Sequence, residues 1–141
     1  MTIKLKHLIL VIALLTTCLG MQAQEKFDPA KFKADRQKFI TEEAGLTAHE
    51  AAQFFPLYNE MSEKLLAIHQ EIKALRKSKP TSEAACKKAI EQRDAYEVKM
   101  KEIERTYHAK FLKVLSAKKL YDVLNAENRF YKRAFKNKAK K

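Results

Sequence analysis

The sequence is poor in residues that interrupt helices. Among its 141 residues there are two glycines, three prolines and no tryptophan. Little turn chemistry is therefore available, and no segment shows the strict polar and apolar alternation of an exposed strand. Alanine, leucine, lysine, glutamate and arginine are abundant instead, which is typical of long helices. These features predict an all-α fold.

The sequence also lacks the motifs of most enzymes and cofactor sites. It has no glycine-rich loop, no HExxH segment and no closely spaced cysteine pair, so neither a nucleotide loop nor a standard zinc site is predicted. His49 and His69 have no second histidine one helical turn away. Glu104 and His108 are one turn apart, but this spacing is more typical of a solvated pair on a helix. We predict a protein without catalytic residues, cofactor or metal.

The start of the chain, residues 1–23, predicts export. Lys4, Lys6 and His7 precede an apolar run over residues 8–19, and small or polar residues follow as far as Ala23. The apolar run is shorter than the roughly 20 residues that a helix needs to cross a bilayer. A signal peptide cleaved after Ala23 is therefore predicted in preference to an uncleaved anchor.

Cys18 offers a further alternative, a lipid-modified cysteine. Thr17 precedes it, where a lipobox usually has glycine, alanine or serine, so the cleaved leader and secretion are favoured. The chain that follows the leader is long enough for one domain but not for two. We place that domain at residues 24–135 and a basic tail at residues 136–141.

The segment after the leader is strongly basic, because the leader contains two lysines and no acidic residue while the whole chain has a net charge of +12. In an exported protein this excess predicts contacts with acidic protein surfaces, or peripheral contacts with anionic lipid headgroups, more readily than binding to nucleic acid.

Four helices can be placed from their end signals. Asp28 and Pro29 predict the start of the first helix, and Gly45 its left-handed end. Thr47 and Glu50 form a capping box, so the second helix is expected to begin at Ala48.

The second helix carries apolar residues at alternating spacings of four and three, which predicts a narrow seam against another long helix. These residues are Phe54, Tyr58, Met61, Leu65, Ile68, Ile72 and Leu75. Pro80 predicts an extended residue before it, and Thr81 or Ser82 the cap of a third helix that runs to about Val114. The short turn predicts an antiparallel hairpin.

Leu115 and Ser116 repeat the start signal of Leu46 and Thr47, with Ser116 as the cap of the fourth helix. Lys119 stands where a capping box needs an acceptor, and its positive charge opposes the helix dipole.

These two helix starts are widely separated in a basic, exported chain with a proline in the second helix. In this pattern, and in the segments FFPLYNEM and LNAENRFYKR, residues 35–135 resemble the Spy/CpxP family of periplasmic LTXXQ-motif proteins, in particular members from Bacteroidetes-type envelopes. Glu50 and Lys119 stand where the motif has glutamine. The resemblance implies a periplasmic location and a four-helix hairpin that pairs into a curved antiparallel dimer. Some family members bind zinc, which leaves that question open.

The sequence itself also points to a second subunit or a client, because a hairpin with short flanking helices buries little apolar surface. We expect the contact surface to include apolar residues that lie off the seams. They are Phe55, Leu57, Tyr121, Phe130 and Phe135. Pro56 is predicted to bend the second helix, with Phe54 turned inward and Phe55 turned towards a partner.

Cys86 is the single thiol after the leader. An odd cysteine in an oxidising compartment suggests an intermolecular disulfide, and the alternative is a small buried apolar residue on the side of the third helix that faces the second.

Two functions follow. One is an ATP-independent chaperone that gathers unfolded or acidic clients on a basic, aromatic surface. The other, implied by the family resemblance alone, is a regulatory subunit that binds an envelope sensor or an anti-sigma factor.

Overall fold

Four helices account for most of the chain. The computed structural model describes the backbone of residues 27–139 and the side chains of residues 27–136. In chain order the helices are α1 (Pro29–Ala44), α2 (Ala48–Lys77), α3 (Glu83–Phe111) and α4 (Ala117–Ala139). No strand occurs within this range, and the prediction of an all-α fold with four helices is confirmed.

The helix starts follow the predicted capping chemistry. The Asp28 carboxylate accepts from the amides of the first turn of α1. The Thr47 hydroxyl accepts from the amide of Glu50, and the Glu50 carboxylate accepts from the amide of Thr47, which confirms the capping box. The Ser116 hydroxyl accepts from the amide of Lys119 at 3.2 Å. These caps satisfy amides that have no partner inside their helix.

The observed helix ends match the prediction at Gly45 but not at Lys79. Gly45 closes α1 in the left-handed conformation with a φ of 60°, as predicted. Lys79, expected to be extended before Pro80, instead has a φ of 45°, so that expectation is wrong. A few residues must reverse the chain between α2 and α3, and Lys79 adopts the left-handed conformation that such tight turns use.

The third helix begins and ends close to the predicted residues. Of the two proposed caps, Ser82 is the one whose hydroxyl accepts from an α3 amide, that of Ala85. The helix ends at Phe111 instead of Val114, because the chain tightens there into turns in which the Val114 amide donates to the Phe111 carbonyl at 3.0 Å. The turn brings Leu115 into the core.

The helices pack in two pairs, α2 with α3 and α1 with α4. The α2–α3 pair is the predicted hairpin, and most of its predicted α2 seam is buried. The buried seam residues are Phe54, Tyr58, Met61, Ile68 and Ile72. On α3 the burial is concentrated at the helix end, at Tyr107 and Phe111.

The two helix pairs share one hydrophobic core at the base of the hairpin. Phe54, Phe111 and Val123 are almost completely buried there, and the Phe54 and Phe111 rings meet edge to face with centroids 4.7 Å apart. Ile40 of α1 and Ala126 of α4 belong to the same cluster. The core therefore holds α1 and α4 against only one end of the long hairpin.

A buried polar contact accompanies this core. Arg36 of α1 donates to the Tyr131 hydroxyl of α4 at 2.7 Å, and its guanidinium lies 4.9 Å from the centre of the Tyr58 ring. The Tyr58 hydroxyl donates to the Glu127 carboxylate of α4. Burial, together with the nearby Glu127 charge, raises the pKa of the Tyr58 hydroxyl above its usual value. Tyr58 therefore remains a donor and links the hairpin to α4.

The predicted signal peptide, its cleavage after Ala23 and the lipidation alternative at Cys18 lie outside the described residues. So do Lys140 and Lys141 of the predicted tail. Helix α4 continues into that tail as far as Ala139. Over the part of the chain that is described, no helix has both the length and the apolar character needed to cross a bilayer.

Candidate interaction surfaces

The outer face of α4 carries the most exposed aromatic side chains of the predicted contact surface. Tyr121 and Phe135 are each 64% exposed. Their positions on α4 are separated by close to a whole number of helical turns, so the two rings lie on the same side of the helix. Each ring is therefore accessible to apolar groups of another molecule that lies along this side of α4.

Phe135 continues into a cluster of aromatic rings between α1 and α4, which we call the terminal aromatic cluster. Its members are Phe27, Phe32, Phe39, Phe130, Tyr131 and Phe135. Phe130, a predicted contact residue, is half-buried there, with its ring centre 5.2 Å from that of Phe32. The phenylalanines at and before α1 were not among the predicted contact residues. The spacing of these phenylalanines indicates that they lie on one side of α1. The sequence does not indicate that α4 is the helix they contact.

Positive charge surrounds these aromatic rings. Residues 117–136 contain six basic and two acidic residues, and half of the basic side chains form ion pairs with carboxylates. The guanidinium of Arg133 lies 4.9 Å from the centre of the Phe39 ring, and Lys132 and Lys136 are exposed. Acidic groups on a binding partner would therefore be attracted to the same face that offers apolar contacts.

The predicted contact residues on α2 lie in a different setting. Phe55 and Leu57 are half-buried and pack against the core, and the Phe55 ring contacts those of Phe54 and Tyr58. Phe54 faces inward as predicted. Pro56 is exposed and lies inside a helix that continues on both sides. Because proline lacks an N–H, the Ala52 carbonyl loses its helical donor; the predicted bend remains a prediction.

The two leucine-hydroxyl helix starts are distant in sequence but meet in space. Leu46 and Leu115 are both buried in the shared core. The Lys119 ammonium donates to the Glu50 carboxylate at 2.5 Å, across the first turns of α2 and α4. Glu50 thus supplies the negative charge that the start of α4 lacks by itself.

This pairing also affects the protonation of Glu50. The hydrogen bond from Lys119, followed by that from the Thr47 amide, lowers the pKa of the Glu50 carboxyl below its usual 4.5. The carboxylate is therefore the form that the fold favours. Opposite charges at the two equivalent positions were visible in the sequence, but their contact was not.

At the far end of the hairpin, α2 and α3 form an open groove of about 240 Å³. Its walls are apolar, with Ile72 and Leu75 from α2 and Ala89 and Ile90 from α3, and two arginines line it. The Cys86 thiol also lines the groove, is half-buried and donates to the Pro80 carbonyl at 3.4 Å. An intermolecular disulfide through Cys86 stays a prediction.

Within the described residues, the side chains whose chemistry suits metal binding or catalysis are dispersed. Glu104 accepts from Lys101 at 2.7 Å, and the His108 ring lies against Phe111. His49 and His69 are exposed on α2. Between residues 27 and 136, no cluster of three or more His, Cys, Asp or Glu side chains is arranged to hold a metal ion.

Comparison with known proteins adds no assignment. No protein-family model, curated protein or solved structure matches the chain. Membership of the Spy/CpxP family therefore stays a prediction that rests on the motifs themselves.

Proposed function

We propose that this chain is an exported, ATP-independent chaperone-like protein that binds unfolded or acidic clients on the outer face of α4. The observation that carries the proposal is the pair of exposed rings, Tyr121 and Phe135, on a helix rich in lysine and arginine. Exposed aromatic rings next to positive charge offer both apolar and electrostatic contacts to another molecule.

Binding would proceed in two physical steps. Long-range attraction by the basic face would first gather a client that carries negative charge. Contacts between exposed aromatic rings and the apolar side chains of the client would then hold it, because they remove apolar surface from water. Without a nucleotide to drive release, both contributions must be weak enough to reverse, which is consistent with a small, open surface.

An aggregation assay tests this function. Residues 24–141, without ATP, should slow the aggregation of a thermally unfolding acidic protein, and the effect should weaken as salt is added because salt screens exposed charges. The paired change Tyr121→Gln and Phe135→Gln should reduce the suppression several-fold, since aromatic anchors dominate many binding surfaces.

The matched control changes Ile90→Gln, which removes an apolar side chain that is 56% exposed but belongs to α3, at the far end of the hairpin. Suppression should be retained in that variant. No suppression at a several-fold molar excess in low salt would refute the chaperone function. If cross-linking in envelope extract captures one dominant partner instead of many, the regulatory subunit becomes the better proposal.

We also propose that two copies pair as an antiparallel homodimer. Leu66 and Val98 support this, because both belong to the long hairpin and remain more than half exposed in the single chain. Sedimentation equilibrium measures the mass directly. A monomer at micromolar concentration would refute the dimer while leaving the client surface untouched.

A further inference from the structure

The groove at the hairpin tip combines an apolar floor with guanidinium groups. Ile72 is buried at the helix interface, whereas Ile90 at the edge is 56% exposed. Arg76 of α2 and Arg93 of α3 line the same groove. Its volume of about 240 Å³ lies below the roughly 300 to 1,000 Å³ of most small-molecule sites. The space suits a side chain better than a cofactor.

The surrounding charge is strongly positive. Residues 73–93 contain seven basic and two acidic residues. Arg93 has only long contacts with exposed carboxylates, at 3.9 Å to Asp94 and 3.6 Å to Glu97, and such pairs contribute little. Arg76 makes no ion pair with any described side chain. Its charge is therefore available to a partner.

We propose that this groove docks an acidic segment of a partner protein that presents one bulky aliphatic side chain flanked by carboxylates. The aliphatic group would enter the space between Ile72 and Ile90, and the flanking carboxylates would meet Arg76 and Arg93. Arginine is suited to this role because its planar fork binds a carboxylate through two hydrogen bonds. Charge complementarity favours an acidic partner over a second, equally basic copy of the chain.

The groove is independent of the proposed client surface. It lies between α2 and α3, whereas Tyr121 and Phe135 belong to α4. Its occupant is a short segment bound in one place, not an unfolded chain. Refuting the proposal for one surface therefore does not refute the proposal for the other, provided that client binding and peptide binding are measured on the same variants.

The probe is a labelled peptide with a single leucine between glutamates. The protein, purified as it accumulates in cells, is titrated into the peptide, and binding is followed by fluorescence anisotropy. Binding should saturate. It should weaken several-fold when leucine is replaced by serine, and more when lysines replace the glutamates. Both comparisons use unchanged protein, so they remain valid if a variant fails to fold. Equal binding of the leucine and serine peptides would overturn the proposal.

Two variants locate the site. Arg76→Glu should weaken binding on the order of tenfold, which corresponds to about 1.4 kcal/mol, and Ile90→Gln several-fold. The matched control is Lys77→Glu, which makes the same charge change in the same last turn of α2 but outside the groove lining. Its effect should stay within about threefold, as for rim charges. Equal losses for Arg76→Glu and Lys77→Glu would show non-specific attraction and overturn the proposal.

Two further measurements exclude other occupants. Binding to phosphatidylglycerol vesicles should respond equally to Arg76→Glu and Lys77→Glu, and a selective loss for Arg76→Glu with no loss of peptide binding would assign the groove to a membrane. The sedimenting mass should not change in the Arg76→Glu variant. A change would assign the groove to a second copy. Aggregation suppression should persist in Arg76→Glu, and peptide binding in the α4 variant.

Discussion

The base and the tip of the α2–α3 hairpin have similar apolar spacing but different surroundings. At the base, Phe54 and Phe111 are almost completely buried beneath α1 and α4. Towards the tip, Leu66 and Ile90 are each 56% exposed. The flanking helices form contacts at only one end, so they divide a continuous hairpin into a core region and an exposed region.

This difference shows what helical spacing does and does not specify. The four-and-three repeat indicates which side of a helix faces its neighbour. It does not indicate whether another layer covers the outer surface of that pair. Stability should therefore reside mainly at the base, and the tip should be available for contacts with other molecules.

The largest expected difference follows from truncating an apolar side chain in each region. Phe54→Ala removes a ring from the core and should lower the free energy of unfolding by about 3 to 5 kcal/mol. Ile90→Ala should change it by less than about 0.5 kcal/mol, as is usual for exposed sites. Urea denaturation followed by circular dichroism measures both values. Similar losses would contradict the comparison, and a large concentration-dependent loss at Ile90 would indicate that a second copy covers the tip.

A smaller difference is expected from removing a hydroxyl. Tyr58→Phe leaves the Glu127 carboxylate without its donor and should cost about 1 to 3 kcal/mol. The matched change Tyr96→Phe affects a half-buried residue of α3 and should stay within about 0.5 kcal/mol. The same denaturation experiment applies. If Tyr58→Phe is neutral, water replaces the lost donor and the link to α4 contributes little.

The smallest effect should depend on pH. The pKa of Glu50 is lowered in the folded chain, so the unfolded chain binds more protons in acid, and stability rises with pH in that range. The stabilisation that the Glu50 carboxylate provides is fully present above the ordinary carboxyl pKa of 4.5. It is lost as the pH falls through the lowered pKa of Glu50 in the folded chain. Glu50→Gln should therefore destabilise the protein at neutral pH and have little effect in stronger acid, as measured by urea denaturation over a series of pH values.

Glu91→Gln provides the control for this pH profile. Glu91 lies near the tip, 4.0 Å from the Lys87 ammonium, and both side chains are well exposed. The free energy of unfolding of the Glu91→Gln variant should change with pH in the same way as that of the unchanged protein. A Glu50→Gln profile that is parallel to the unchanged one would show that the contact with Lys119 does not favour the carboxylate.

Much of the fold could be predicted because its signals are local. Asp28, Gly45, Thr47 and Ser116 act on amides or dihedral angles within a few residues of themselves. The Lys79 conformation was missed because the requirement to reverse the chain outweighed the preference that Pro80 imposes on its neighbour. Helix α3 ends slightly before the predicted Val114 for a similar reason, since the turn that buries Leu115 is set by the core.

The candidate surfaces were predictable only in part. Tyr121 and Phe135 are exposed, but Phe55 and Leu57 pack beside the core, and Phe130 joins rings from α1. The position of a residue off a seam does not show whether its side chain is exposed or packed, because a side chain that lies off one seam can contact a third helix.

The sequence by itself determined the helices, their caps and the inward face of α2, because each depends on neighbours within one or two turns. Only the tertiary structure decided that α1 and α4 cover one end of the hairpin. It also brought Glu50 to Lys119 and placed Arg76 beside Ile90 in an open groove. These contacts join residues that are distant along the chain, and their geometry depends on how the helices pack.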